Sequence, residues 1–351
     1  MAGRERRPYG HVRRARAGQG TTPDIYAGRR SRRRRPPRRS LLALLILILL
    51  CCLVVAAIFL WYRERSMETV TLTTVDRPAS TEPPDPPVPQ ARVRAVEVLD
   101  EELRAISEAY TGTHGVAIFD SYSGESALLN ADRRFVAASL SKLYALLTLY
   151  RAASRGELSL DDKITMRASD VWAEGTSVLY RHPVGHTMTL RACARLLIKE
   201  SDNTAEVMLN RYLGEEKIEA ELDRIGARST SYWMPNISTP NDVLLVLKAI
   251  GDPSYTSPEL SAEMLDVMTG TAFEDRLPRP LPNGARVAHK IGSYESTISD
   301  AGIVLSARRG GVGQEYYIVV FSEGATEGDA RQAIQEISLA AYQALPAPEA
   351  P

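Results

Sequence analysis

In the stretch FVAASLSKLYALLTLY, residues 135–150, a serine and a lysine stand three apart, Ser139 and Lys142, where a loop enters an apolar helical run. Residues three apart on a helical turn share a side, so the hydroxyl and the amine can touch. A serine hydroxyl is a weak nucleophile until a base removes its proton, and a lysine held among apolar walls or other cations becomes a weak enough acceptor of protons to cycle in that role. The start of a helix also favours negative charge beside it. The bland alternative is a capping serine followed by a solvated lysine, and for an isolated SxxK it is the better reading. Of the six lysines in the chain, however, Lys142 alone has a serine three places before it.

Two further groups can converge on this pair. In IKESDNTAEVML, Ser201, Asp202 and Asn203 stand on a break between two helical runs, where they also read as a simple helix N-cap. In RVAHKIGSYES, Lys290 and Gly292 fall on a predicted strand, the glycine permitting close approach of a backbone or ligand, although a strand lysine is usually a surface charge. Each motif is weak alone. SxxK, SDN and K-x-G nevertheless occur once each, in this order, with the second among helices and the third on the strand that follows them.

The elements that must position these residues lie between about 91 and 346. Helical spacing over RVRAVEVLDEELRAISEAY is followed by two strands, HGVAIFD and ESALLN, joined by SYSG. Helical patterns then dominate from 139 to about 269, after which ARVAHKIGS, SDAGIVLSA and EYYIVVFSE read as strands and GDARQAIQEISLAAYQAL as an amphipathic helix. This order predicts an α+β domain: an antiparallel sheet flanked by terminal helices, with an all-helical subdomain between its second and third strands. The cleft is expected where sheet and subdomain meet.

With these motifs in this order, the sequence resembles the class A serine β-lactamases and the related penicillin-binding D,D-peptidases, whose signature is that trio. The likeness extends to GELSLDDKIT, HPVGHTMTLRACARLLIKESDNTAEVML and the terminal strands and helix, nearly all of 91–346. It implies that Ser139 attacks an acyl carbon, that Lys142 takes or relays its proton, and that Ser201 passes a proton to the leaving nitrogen. Asn203 would orient Lys142 and the substrate amide. Lys290 would attract the substrate carboxylate and tune Ser201, with Gly292 beside it, and the N–H groups of Ser139 and Ser293 would form the oxyanion hole.

Two departures bear on substrate. The middle of the third motif is usually Thr or Ser, and here it is Ile291, which removes one hydrogen bond to a substrate carboxylate. Class A enzymes also place a glutamate on a loop between the second and third motifs to activate the deacylating water. The equivalent stretch is WMPNISTPNDV, with Met234 where that glutamate is expected; Asp242, the nearest acid downstream, is expected to serve the first turn of a helix. Acylation would then survive while deacylation slows. The resemblance therefore leaves three readings: a β-lactam hydrolase, a peptidoglycan D,D-carboxypeptidase or penicillin-binding protein with slow deacylation, and a catalytically silent domain that binds wall fragments. Retention of the whole trio weighs against the third.

Other chemistries fit less well. His182 and His186 in RHPVGH have i, i+4 spacing but Pro183 and Gly185 between them, so no metal site is expected, and no cofactor is implied. The GxG of RRGGVGQ lies between two strands and reads as a hairpin connection, not a nucleotide loop. Trp172 and Tyr180 are candidates for the cleft rim or for aromatic core.

Outside the domain the charge is polarised. Residues 1–40 hold 14 of the 43 basic side chains and 2 of the 43 acids, a segment of +12 set against −12 for the remainder. With little aromatic interleaving, this arginine-rich stretch reads as a disordered cytoplasmic tail, and no nucleic-acid partner is expected. Residues 41–62 follow without a charge, enough for a helix of about 33 Å, the span of a bilayer. Arginines flank its near side, so the N-terminus is expected inside and the rest outside, in a single-pass arrangement at the cell membrane. Residues 63–90, with six prolines between 78 and 89, read as an extended linker, and 347–351 as a short tail. Cys193 stands alone outside the span, so no disulfide forms within the domain; oligomeric state is not legible.

Overall fold

A computed structural model of the protein describes residues 90–345 apart from 234, 309 and 310, and over 306–315 its backbone alone. The expected tail, span and linker, the position of Met234 and the tail 347–351 therefore lie outside the described residues. Among the described residues no helix is long and apolar enough to cross a membrane.

The first helix, α1 (Gln90–Ala109), buries Val96, Leu99 and Leu103, the three- and four-residue steps of one helical stripe. It leads into β1 (Thr113–Asp120) and β2 (Ser126–Leu129). The sheet is completed from the other end of the chain by β7 (Arg286–Tyr294), β8 (Thr297–Arg308) and β9 (Gly311–Glu323), and α8 (Glu327–Ala344) closes the fold. Strand order is β2-β1-β9-β8-β7 with every pairing antiparallel, so β7 is an edge. Alternation along β1 sends Val116 and Ile118 to one face, where they meet Leu99, Leu103, Ile318, Ile334 and Ile337; Ala117 points to the other face, with Val319 and Phe321. Each fully buried leucine or isoleucine of this kind contributes about 2 kcal/mol. Both faces are thus covered, one by the terminal helices and the other by the central lobe.

α1 is locked to the sheet by a buried ion pair. Arg92 donates from Nε and Nη2 to the two oxygens of Asp120 at 3.0 and 2.9 Å, a fork that matches the carboxylate. Burial alone would raise the Asp120 pKa, but Arg92 and Ser123 outweigh it and hold the carboxyl below its ordinary value.

The lobe between β2 and β7 contains α2 (Lys142–Ser154), α3 (Leu190–Lys199), α4 (Asn203–Leu213), α5 (Glu215–Ile225), α6 (Pro240–Gly251) and α7 (Pro258–Met268). It is not all-helical, as the sequence led us to expect. Two short antiparallel ribbons lie within it, β3 (Phe135–Val136) with β6 (Ile237–Ser238) and β4 (Lys163–Thr165) with β5 (Thr187–Thr189). Runs of two or three residues show no period-2 pattern, and their pairing is set by the helices that bring them together.

Candidate active site

Ser139 does not open the α-helix itself. It lies in a one-turn 3-10 helix, Ala138–Ser141, that runs directly into α2 at Lys142. The tighter turn, with about three residues per turn, stacks residues i and i+3. Lys142 Nζ accordingly lies 2.9 Å from Ser139 Oγ. The turn is entered through Ala138 at φ +49°, a left-handed conformation that costs a non-glycine residue about 1 kcal/mol or more. Asn236 steadies it by donating from Nδ2 to the Ala138 carbonyl at 3.1 Å.

The second motif sits on the break between α3 and α4. Ser201, at φ +53°, is the other strained non-glycine residue of the site. Asp202 explains how the break is held: its buried carboxylate caps α4 at Ala205 N (2.9 Å) and also accepts from Val178 N (2.6 Å), Leu179 N (2.8 Å) and Ser177 Oγ (3.0 Å). Capping and site-building are one structure here. Asn203, first in α4, accepts the Lys142 ammonium on Oδ1 at 2.7 Å and donates from Nδ2 to the Glu174 carbonyl at 3.0 Å.

The third motif comes from β7. Lys290 donates to Ser201 Oγ at 2.9 Å and to the Ile291 carbonyl at 2.8 Å, and only 1% of it is exposed. Burial first, and then the neighbouring Lys142, push its pKa well below the ordinary lysine value. With the ammonium sealed in this way, its direct contact is with Ser201; any attraction of a substrate carboxylate acts through the field. Gly292 is required by space, since a Cβ there would lie 2.4 Å from Ser299 Oγ and 2.9 Å from the Ala137 carbonyl, the backbone leading into the Ser139 turn. Ser293 is exposed, while Ile291 is buried.

Ser139, Lys142, Ser201, Asn203 and Lys290 therefore form one connected cluster, with Lys142 Nζ also 3.5 Å from Ser201 Oγ. Ser139, Lys142, Asn203 and Ser293 face a cavity of about 460 Å³, with Trp172 and Trp233 among its apolar walls. Tyr180 is not in that lining, and the Arg181 guanidinium lies over its ring instead. Asp242 is also elsewhere, accepting from Ser229 N and Thr230 Oγ1 at the turn before β6. His182 and His186 stack ring on ring at 4.3 Å.

Three residues that the sequence did not single out complete the surroundings. Glu206, buried in α4, reaches Lys142 Nζ at 3.1 Å and accepts from Ser141 Oγ at 2.9 Å. Its signal was its place three residues after Asn203 on the same helix face, which reads equally well as an acid near a helix N-terminus. Asn236 had no sequence signal. Arg276, 2% exposed, donates to the Gly292 carbonyl at 2.7 Å and to Ser293 Oγ at 2.6 Å, propping the strand beside the cavity.

Next to Lys290 on β7, His289 is fully buried between Asp300 (2.9 Å from Nδ1) and Glu274 (3.3 Å from Nε2). Burial disfavours the charged ring, but these two carboxylates outweigh it and raise its pKa to about 9. A pKa raised above that of the unfolded chain, about 6.5, means stability that is complete below pH 6.5 and lost as pH rises through 9. Read as the difference between the parent and His289→Asn, so that the opposing contribution of Lys290 cancels, the denaturant midpoint should fall between pH 6.5 and 9.5 by the equivalent of about 3 kcal/mol. A difference that does not change with pH would refute the assignment.

A serine at a helix entrance, a lysine within hydrogen-bond reach and a second serine–lysine pair behind it, set between an antiparallel sheet and a helical lobe, are the groups that serine acyl-transfer chemistry needs. The chain belongs to the Beta-lactamase enzyme family, which matches residues 98–345. It is 30% identical over 171 residues to a β-lactamase of Amycolatopsis lactamdurans, covering 47% of this chain and 51% of that protein. To β-lactamase 3 of Bacillus cereus it is 26% identical over 207 residues, covering 54% and 63%. The chain thus spans half to somewhat under two thirds of these relatives. Among solved structures, a variant of PBP-A in an acyl-enzyme complex with penicillin G superposes with TM-score 0.65 at 26% identity, covering 71% of this chain and 96% of that one. A β-lactamase of Sphaerobacter thermophilus superposes with TM-score 0.61 at 30% identity, covering 73% and 97%.

Proposed function

We propose that Ser139 forms an acyl-enzyme with β-lactams and that the ester is then hydrolysed. The observation that carries this reading is the contact between Lys142 Nζ and Ser139 Oγ at 2.9 Å, backed by Ser201 and Lys290 at 2.9 Å from each other. In it, Lys142 receives the serine proton and passes it to Ser201 across their 3.5 Å contact as Ser201 delivers its own proton to the lactam nitrogen, and Lys290 keeps Ser201 oriented. The N–H groups of Ser139 and Ser293 receive the developing oxyanion, where fixed donors are worth several kcal/mol. The likeness to a protein captured with penicillin G supports the choice of acyl donor. A second reading, a D,D-carboxypeptidase acting on peptidoglycan stems, draws on Met234, which cannot supply the deacylating base expected of a β-lactam hydrolase. The test is to incubate the full chain with a penicillin and follow intact mass over time. A transient adduct with complete drug hydrolysis is the expected result. A lasting adduct would favour the peptidase, and no adduct would reject penicillin recognition and leave another acyl substrate or a silent binding domain.

We further propose that residues 41–62 anchor the chain in the cell membrane with its N-terminus inside and the hydrolase outside. The uncharged run and its arginine flank support this. Produced in a bacterial host, the full chain should stay with carbonate-washed membranes and expose its C-terminal part to protease added outside; release of the full chain by the wash would refute anchoring.

A further inference from the structure

Hydrolysis of an acyl-enzyme needs a base for water, and the position expected to supply one in the sequence is Met234. The cavity over Ser139 nevertheless contains a carboxylate. Among its described lining residues Glu206 is the only acid, and it stands in the same cavity as Ser139, Asn203 and Asn236. Its side chain is held at both oxygens, one 2.9 Å from Ser141 Oγ and the other 3.1 Å from Lys142 Nζ. Asn236 faces the same space. Its Nδ2 is committed to the Ala138 carbonyl (3.1 Å) and lies 3.4 Å from Ser141 Oγ, which leaves Oδ1 buried and without a partner among the described residues. A buried amide oxygen without a donor costs about 1–3 kcal/mol, and a water beside it would remove that cost. Asp242 offers no substitute, being turned to Ser229 and Thr230.

We propose that Glu206, from the helix that follows the SDN motif, is the base of the deacylation step, with Asn236 Oδ1 helping to seat the attacking water. The inference rests on the reading that Ser139 is acylated. The water oxygen bonds to the acyl carbon as one of its protons passes to the Glu206 carboxylate. The tetrahedral adduct then collapses with cleavage of the bond to Ser139 Oγ, which takes the proton held by Glu206, relayed through Lys142 Nζ across the 3.1 and 2.9 Å contacts, so that Ser139, Lys142 and Glu206 return to the protonation states from which acylation began. One carboxylate on a helix thereby does work that the sequence pattern assigns to a loop.

Glu206→Gln tests this in the full chain. Glutamine keeps the length of the side chain and can still accept from Lys142 through its carbonyl and meet Ser141 Oγ with its amide, but it cannot take a proton from water. Intact mass and hydrolysis of a penicillin are followed together, with a melting curve for each protein. The expected result is acylation within about tenfold of the parent and hydrolysis slowed by about 10²- to 10³-fold, the span of a lost general base, so that a Ser139 adduct accumulates. Glu206→Asp, which retains a carboxylate one carbon short, should fall between the two, and it decides the matter if the glutamine variant does not fold. Hydrolysis equal to the parent in either folded variant would overturn the role of Glu206 and leave the β-lactam reading standing. A parent that forms a lasting adduct would also overturn it, leaving a penicillin-binding serine. A parent that forms none would remove both.

Discussion

Ser139→Ala is expected to remove all covalent labelling by penicillin, and Lys142→Met to slow it by about 10³- to 10⁴-fold. The first follows from connectivity: Ser139 Oγ is the hydroxyl that shares both the cavity and the lysine, and alanine leaves no atom there to acylate. The second follows from what surrounds Lys142. The side chain is 1% exposed and its Nζ contacts Ser139, Asn203 and Glu206, so bulk water cannot replace it as proton acceptor. Methionine matches the lysine stem in length and fills the same space. It strands the Glu206 carboxylate with Ser141, a loss of about 3 kcal/mol for a broken buried pair, so rates should be compared well below the melting temperature of the variant. Rapid-mixing mass spectrometry gives the acylation rate directly. Acylation of the methionine variant within tenfold of the parent would exclude Lys142 as the base.

Lys290→Met should move activity and stability in opposite directions. Acylation should slow by about 10²-fold as Ser201 loses the donor 2.9 Å away that orients it. Stability should rise. The folded protein holds the Lys290 proton less tightly than the unfolded chain does, because the side chain is buried and Lys142 stands close by. For a lysine whose pKa is lowered on folding, the cost is complete below the folded value and vanishes as pH rises past the unfolded value, about 10.4. At neutral pH the parent therefore bears this cost and the methionine variant does not, offset in part by the two lost hydrogen bonds, each about 1.5 kcal/mol or more for a charged donor. An increase of a few degrees in melting temperature at pH 7 is the expected result. A fall of several degrees, the usual outcome of removing a buried charged partner, would show that Lys290 is held by compensating contacts and not against its own burial. Buried lysine would then be a structural gain here, and the opposition between site and stability would be absent.

How far the sequence reaches differs between neighbouring residues of the site. The contact of Ser139 with Lys142 is legible because it is local: three residues on a helical turn superpose whatever the rest of the chain does. The five sheet strands are legible because alternation over seven or more residues, or a turn such as SYSG, is written in the residues themselves, and β1, β7, β8 and β9 lie within a few residues of where that pattern puts them. The same reasoning missed β3 with β6 and β4 with β5, whose two or three residues are too few to display a period. It also passed over Glu206, which carries an innocent explanation as an acid near a helix start, and Asn236 and Arg276, which carry no pattern.

By itself, then, the sequence determined the α+β alternation, the amphipathic terminal helices, the three motifs in order and the charge asymmetry about residues 41–62, since each is a property of neighbours along the chain. Only the tertiary structure decided that Lys290 meets Ser201 across 89 residues and that Ser141 meets Glu206 across 65. It also decided that Ala138 and Ser201 are held at positive φ, a local cost sustained by contacts from elsewhere in the chain, Asn236 on the Ala138 carbonyl and Thr176 on the Ser201 carbonyl. Distances of this kind are set by how two independently patterned layers close on each other, and no spacing within either layer records them.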